Sequence, residues 1–184
     1  MFITVVKNVQ GDDYTIHQIL ARRFQGQKIL FQRRKESIHV LSPRPPAGRN
    51  GSTVEIKRVL DGIRIGDSLD FILRINPVVA KKDGSEPVKR GRRKAVPCND
   101  LKRWLDNKFI QYGFLADYAF DEEGFRESVK QGSVITINSL LVKGTIEVLN
   151  PDGVRRALTE GIGRAKRLGF GMIHCYDSLV LQAH

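Results

Sequence analysis

Two side chains near the amino terminus and one glycine-rich bend near the carboxy terminus carry the chemistry this sequence offers. Tyr14 and His17 stand three residues apart in a helical pattern, so both project from one face. On a wheel of about 100° per residue, His17 falls at the rim of an apolar stripe of Ile16, Ile19, Leu20 and Phe24, with small Ala21 beside it. A rim position is partly desolvated yet reachable, which suits an imidazole that exchanges protons near neutral pH. It equally suits a histidine hydrogen-bonded at a core edge, and the residues leave both readings open. The bend, Gly161-Ile-Gly-Arg-Ala-Lys-Arg-Leu-Gly-Phe-Gly171, strings Arg164, Lys166 and Arg167 between the pairs Gly161/Gly163 and Gly169/Gly171. Glycine lets the backbone take φ > 0 and lie close to a ligand. Bare N–H groups beside cations suit a phosphate chain, although a plain turn between two elements has the same composition. The expected order here is helix, loop, strand, and neither the P-loop nor the dinucleotide fingerprint is present.

Other chemistries find less support. His39, His174 and His184 stand in predicted strands or at the chain end, and neither H-E-x-x-H nor C-x-x-C occurs, so no metal or cofactor is expected. Asp12-Asp13 could chelate magnesium, but helix capping accounts for the pair. No G-x-S-x-G exists for serine hydrolase chemistry, and Cys98 and Cys175 do not make a disulfide framework. No signal peptide pattern and no apolar run near the ~20 residues of a membrane span occur, which leads us to expect a soluble cytoplasmic protein with no membrane partner.

The elements that must position these residues read as mixed α and β. A strand over 2–7 precedes a helix capped by Asp12 or Asp13 and reaching about Phe24. Strands over 28–34 and 37–42 follow, joined at Lys35-Glu36, then a loop over 43–52 and a weakly signalled helix over 54–60. A strand over 68–79, stopped by Pro77, completes β-α-β-β-(α)-β, the ferredoxin-like plan. Segment 81–94 holds seven basic residues against two acidic and reads as a cationic connector. Beyond it lie a helix over 100–112, a strand over 113–120, an acidic turn at Asp121, Glu122 and Glu123, and a strand over 133–149 bent or split at Gly144. A helix over 152–159, the glycine bend and a strand over 170–175 close the chain. We therefore expect an α+β protein of two tandem ferredoxin-like (RRM-like) domains, 1–80 and 96–184, joined by a basic linker or loop at 81–95.

Charge points the same way as the bend. The 184 residues carry a net +11, an excess that suits a polyanion, with nucleic acid ahead of an acidic membrane. It is clustered: 21–35 holds six basic and no acidic residues, and 155–167 holds five basic against Glu160. Arginine dominates these clusters, in pairs such as Arg33-Arg34, Arg92-Arg93 and Arg155-Arg156 whose planar forks match phosphate.

Three motifs occur in order: Tyr14-x-x-His17-Gln18, Leu73-Arg-x-Asn76-Pro77, and the glycine bend followed by Met-Ile. Together they closely resemble the CasE family, the CRISPR-associated endoribonucleases of type I-E systems, over nearly the whole chain. Trp104 and the 89–94 segment before Val96-Pro97 fit the same likeness. The chain departs from it at Arg23-Phe24-Gln25, where members often have Phe-Pro, and in a somewhat short middle third. The resemblance implies metal-independent cleavage of a CRISPR repeat hairpin on the 3′ side of its stem by 2′-OH attack. It also implies that the protein stays with the crRNA as a subunit of a type I-E or related effector complex. A catalytically idle RNA-binding subunit of such a complex is the alternative. It implies His17, Tyr14 and Lys166 as catalytic residues. RNA contacts are expected from Gly161, Gly163, Arg164, Arg167, Gly169 and Gly171, and from Arg22, Arg23, Arg33, Arg34, Arg90, Arg92, Arg93 and Lys94.

Overall fold

The computed structural model describes residues 1–34, 36–48, 51–80 and 93–175. Strand β1 (Phe2–Lys7) leads into helix α1 (Asp13–Arg23), followed by β2 (Leu30–Arg34), β3 (Ser37–Ser42), β4 (Ser52–Glu55) and α2 (Lys57–Gly62). The sheet order is β2-β3-β1-β4, antiparallel throughout. Helix α1 starts where Asp12 Oδ1 accepts the Thr15 N–H at 2.8 Å. Its Ile16, Leu20 and Phe24 are fully buried against Val6, Phe31, Ile38 and Val40 of the sheet. Ile19, expected in that stripe, is 39% exposed. The three buried residues centre the stripe near Leu20, and Ile19 lies about 100° from it, beyond the sheet's reach.

The strand expected to complete this first unit does not belong to it. β5 (Ser68–Ile75) lies in a second sheet with β8 (Phe114–Lys130), β9 (Ser133–Val148) and β10 (Ile173–His174), ordered β10-β5-β9-β8. The fourth place in the first sheet goes to β4, which pairs with β1 from Phe2↔Glu55 to Val5↔Ser52. β4 is exposed along its length, so no alternation of apolar residues marks it, and α2 follows it rather than preceding it. The second unit reads β5, α3 (Leu101–Gln111), β8, β9, α4 (Pro151–Glu160), β10, a complete βαββαβ series that β5 opens. The fold is thus two tandem ferredoxin-like units.

Two further features differ from expectation. Part of the basic connector is regular: β6 (Val78–Ala80) pairs with β7 (Arg93–Ala95) as the arms of a hairpin inserted between β5 and α3. The acidic stretch is strand rather than turn. Asp121 and Glu122 pair with Leu141 and Leu140, a bulge falls between Glu122 and Gly124, and β8 runs on to Lys130. At the bulge Arg74 donates to both carboxylate oxygens of Glu123, at 2.6 and 2.7 Å. β9 passes through Gly144 unbroken, and a Cβ there would stand 2.0 Å from the Asp117 carbonyl oxygen, so only glycine fits. One apolar core spans both units, joining Ile3, Leu30 and Leu41 to residues such as Leu73, Ile75 and Met172.

Candidate active site

His17 stands on the face of α1 next to β2, and its ring stacks on Phe31 with centroids 6.4 Å apart and planes 12° from parallel. Phe31 is fully buried and also supports the glycine bend. A Cβ at Gly169 would reach 2.9 Å from the Phe31 ring, so the bend's backbone lies directly against it. The first unit's imidazole and the second unit's cationic bend therefore meet over one aromatic platform. Burial holds the His17 pKa below its ordinary value, and the nearby Arg167 guanidinium lowers it further. Both effects favour the neutral ring, whose Nδ1 is buried and has no hydrogen-bond partner among the described residues. Tyr14, one turn earlier on α1, is half-buried.

Gly161 ends α4 at φ 70. The bend then folds back on itself: the Ile162 N–H donates to the Gly171 carbonyl at 2.8 Å and the Gly171 N–H to the Arg74 carbonyl at 2.7 Å. Ala165 takes the left-handed region, a 3₁₀ turn spans Lys166–Leu168, and Gly163 rests on Ile75. The outer glycines thus serve close packing. The N–H groups of Gly163, Arg164 and Ala165 donate to no described residue, and these are the donors left for an anion. Lys166 turns inward: its Nζ donates to the Glu160 and Gly161 carbonyls at 2.8 and 2.7 Å, capping the negative end of α4. Burial, and then the charge of Lys28, lower its pKa. One of its three donors remains beyond those two carbonyls. Arg164 and Arg167 are exposed.

The remaining candidates are dispersed. Arg22 is exposed, while Arg23 is half-buried, its Nη2 without a hydrogen-bond partner among the described residues. Arg33 donates to the Gly11 carbonyl at 3.0 Å, and with Arg34 it lines a cleft of about 290 Å³ that also includes Asn8, Gln10 and Ser37. Lys94 is exposed on β7, and Arg93 contributes backbone to that strand. Arg90 and Arg92 lie outside the described residues, as does the Arg93 side chain. Arg155, part of a fork that looked suited to phosphate, instead donates to the Leu60 and Ile63 carbonyls at 2.8 Å each and ties α4 to α2. Arg156 sits over the Tyr112 ring. Sequence reasoning missed Phe31, whose apolar strand position looks like ordinary core. The expected capping of α1 falls to Asp12; what sequence reasoning did not show is that Asp12 also accepts the Val129 N–H at 2.7 Å and that Asp13 pairs with Arg126. Among the described residues, no group of three or more His, Cys, Asp or Glu is arranged to hold a metal ion.

Known proteins share this architecture. The CRISPR-associated endoribonuclease Cse3 of Thermus thermophilus is 26% identical over 125 residues, covering 60% of this chain and 56% of its own length, so the chain matches little more than half of that relative. The solved structure of CRISPR endoribonuclease Cse3 bound to 19 nt RNA superposes with a TM-score of 0.74 at 19% identity, over 95% of this chain and 99% of that one. A chain of a CRISPR RNA-guided surveillance complex, pre-nicking, superposes at 0.72 with 15% identity, over 95% and 98%. These likenesses give the fold. The profile of the CRISPR associated protein family matches residues 4–175, and the chain belongs to that family.

Proposed function

We propose that this protein is an endoribonuclease that binds a CRISPR repeat hairpin and cuts it 3′ of the stem without a metal ion. The observation that carries this reading is the convergence of His17 and the Arg167-bearing bend on Phe31. In RNA the ribose 2′-OH is tethered beside the scissile phosphate, so the protein must align that oxygen, move protons and stabilise developing charge. A neutral His17 accepts the 2′-OH proton as the oxygen attacks phosphorus. The 5′-oxygen leaves and is protonated, from the imidazolium or from solvent, which gives a 2′,3′-cyclic phosphate and a 5′-hydroxyl. Tyr14 orients the phosphate or ribose. Arg164, Arg167 and the free N–H groups of Gly163, Arg164 and Ala165 face the phosphoryl oxygens, and the third donor of Lys166 supports them.

The Cse3 relative is named an endoribonuclease, and one solved likeness holds RNA. The similarity to a chain of a surveillance complex supports retention with the cut RNA as an effector-complex subunit. As domains we read an amino-terminal unit over 1–62 and a carboxy-terminal unit beginning at 68, a reading supported by β1 to β4 sharing one sheet and β5, β8, β9 and β10 the other. The test is incubation of the protein with labelled repeat hairpin in EDTA. A single cut is expected, slowed on the order of 10²-fold or more by His17→Ala while binding persists. An idle RNA-binding subunit would leave the hairpin whole, and a strict magnesium requirement would refute metal-free cleavage.

A further inference from the structure

Among the described residues, helix α1 meets the second unit chiefly at two places. One is the 3₁₀ turn of the bend, which carries Arg167. The other is the distal arm of the β8–β9 hairpin, past the bulge. There Arg126 Nε and Nη2 each donate to one oxygen of Asp13 at 3.0 Å, a fork-to-fork pair between residues 113 apart in sequence. Asp13 is only 5% exposed. Beside it, Asp12 uses one oxygen to cap α1 and the other to accept the Val129 N–H, so both aspartates of the first turn are fastened to β8 or to the helix start. His17 lies four residues after Asp13, about 6 Å along the axis at 1.5 Å per residue, on the same helix face. A planar bidentate pair fixes direction as well as distance. It therefore sets both the rotation of α1 and its depth against the second unit.

We propose that Arg126 and Asp13 are positioning residues for RNA cleavage, holding α1 so that the His17 ring meets the glycine bend over Phe31. The proposal rests on the nuclease reading above, but its physical core does not require activity. Releasing the strap lets α1 tilt from Phe31 and admits water to the imidazole. The charge that acts on that imidazole among the described residues is Arg167 on the bend, and it too recedes.

The experiment compares Arg126→Ala, Arg126→Lys and Asp13→Asn with wild type in three measurements: single-turnover cleavage of a repeat hairpin, RNA affinity, and NMR titration of His17 in the free protein. Arg126→Ala and Asp13→Asn should cleave on the order of ten- to a hundredfold more slowly. RNA affinity should change far less than the rate, because neither Asp13 nor Arg126 is among the groups that face the phosphate. The His17 midpoint should rise toward that of a solvent-exposed imidazole. Arg126→Lys, which keeps the charge but loses the fork, should fall between. Arg103→Ala, which breaks an exposed pair with Asp100 on the far helix α3, should change none of the three. Wild-type cleavage and titration in folded Arg126→Lys and Asp13→Asn would overturn the proposal, and these two decide it if Arg126→Ala does not fold. Slower cleavage with an unmoved midpoint would also overturn it, since that would indicate general loosening. If wild type fails to cleave, the nuclease reading falls, and the His17 midpoint in the variants still judges the strap.

Discussion

Replacing Gly169 with alanine isolates the contact between the bend and the platform under His17. Gly169 has φ +80, and a left-handed conformation costs an alanine about 1–2 kcal/mol. Its new Cβ would also stand 2.9 Å from the Phe31 ring, where carbon pairs pack at about 3.5 Å, so something must give by about 0.6 Å. The ring cannot turn away freely, because it is fully buried and His17 lies against it. Either the bend lifts or the imidazole shifts, and in both cases His17 and the phosphate-facing groups lose register. A displacement near 1 Å costs on the order of 10²-fold in rate, so about tenfold is expected here. Gly132 supplies the control: its φ is +79 at the tip of the β8–β9 hairpin, with nothing within 4 Å of its added Cβ. Gly132→Ala bears the backbone cost alone. Against a typical stability of about 5–15 kcal/mol both variants should fold, with Tm lowered by about 2–4 °C per kcal/mol for a chain of this size. Thermal melts beside single-turnover cleavage separate the effects. Equal cleavage rates in the two variants would refute the shared platform.

Arg167→Ala should raise the His17 pKa, because the guanidinium lowers it. The imidazole then stays protonated to higher pH, so the acidic limb of the pH–rate profile should move upward, as NMR titration can check; an unmoved or lowered midpoint would count against the Arg167–His17 interaction. Arg164→Ala should weaken RNA binding and flatten the plot of log affinity against log salt by about 0.9; an unchanged slope would place Arg164 off the RNA. Arg74→Ala should destabilise by about 2 kcal/mol, since it leaves Glu123 partly buried without its bidentate partner. Arg103, 77% exposed in its pair with Asp100, should matter by less than about 0.5 kcal/mol. Chemical denaturation of both variants tests that contrast.

Local physics made much of this protein legible in one dimension. The spacing of Ile16, Leu20 and Phe24 set the buried face of α1, and the same arithmetic put His17 at its rim, where it is half-buried. Strands β1, β2 and β3 and helices α3 and α4 announce themselves by their local residue pattern, and α1 also by its cap Asp12, whose side chain accepts from the Thr15 N–H group. These signals sit within a few residues of one another, so the sequence holds them whole. Sheet membership is different. β5 is a strand on its own pattern, but joining β9 and β10 rather than the first sheet depends on partners about 70 and 100 residues away, and β4 carries no apolar pattern at all. The acidic run looked like a turn because its charges are costly in a strand, until Arg74 meets Glu123 across 49 positions. Lys166 looked free for a phosphate and is held by the carbonyls of a helix end. Phe31 and the Asp13–Arg126 pair acquire a role only when two units close on each other. Sequence therefore determined which residues are helical, extended, buried or charged, and the tertiary structure decided which of them meet, because burial and charge pairing act through space while periodicity acts along the chain.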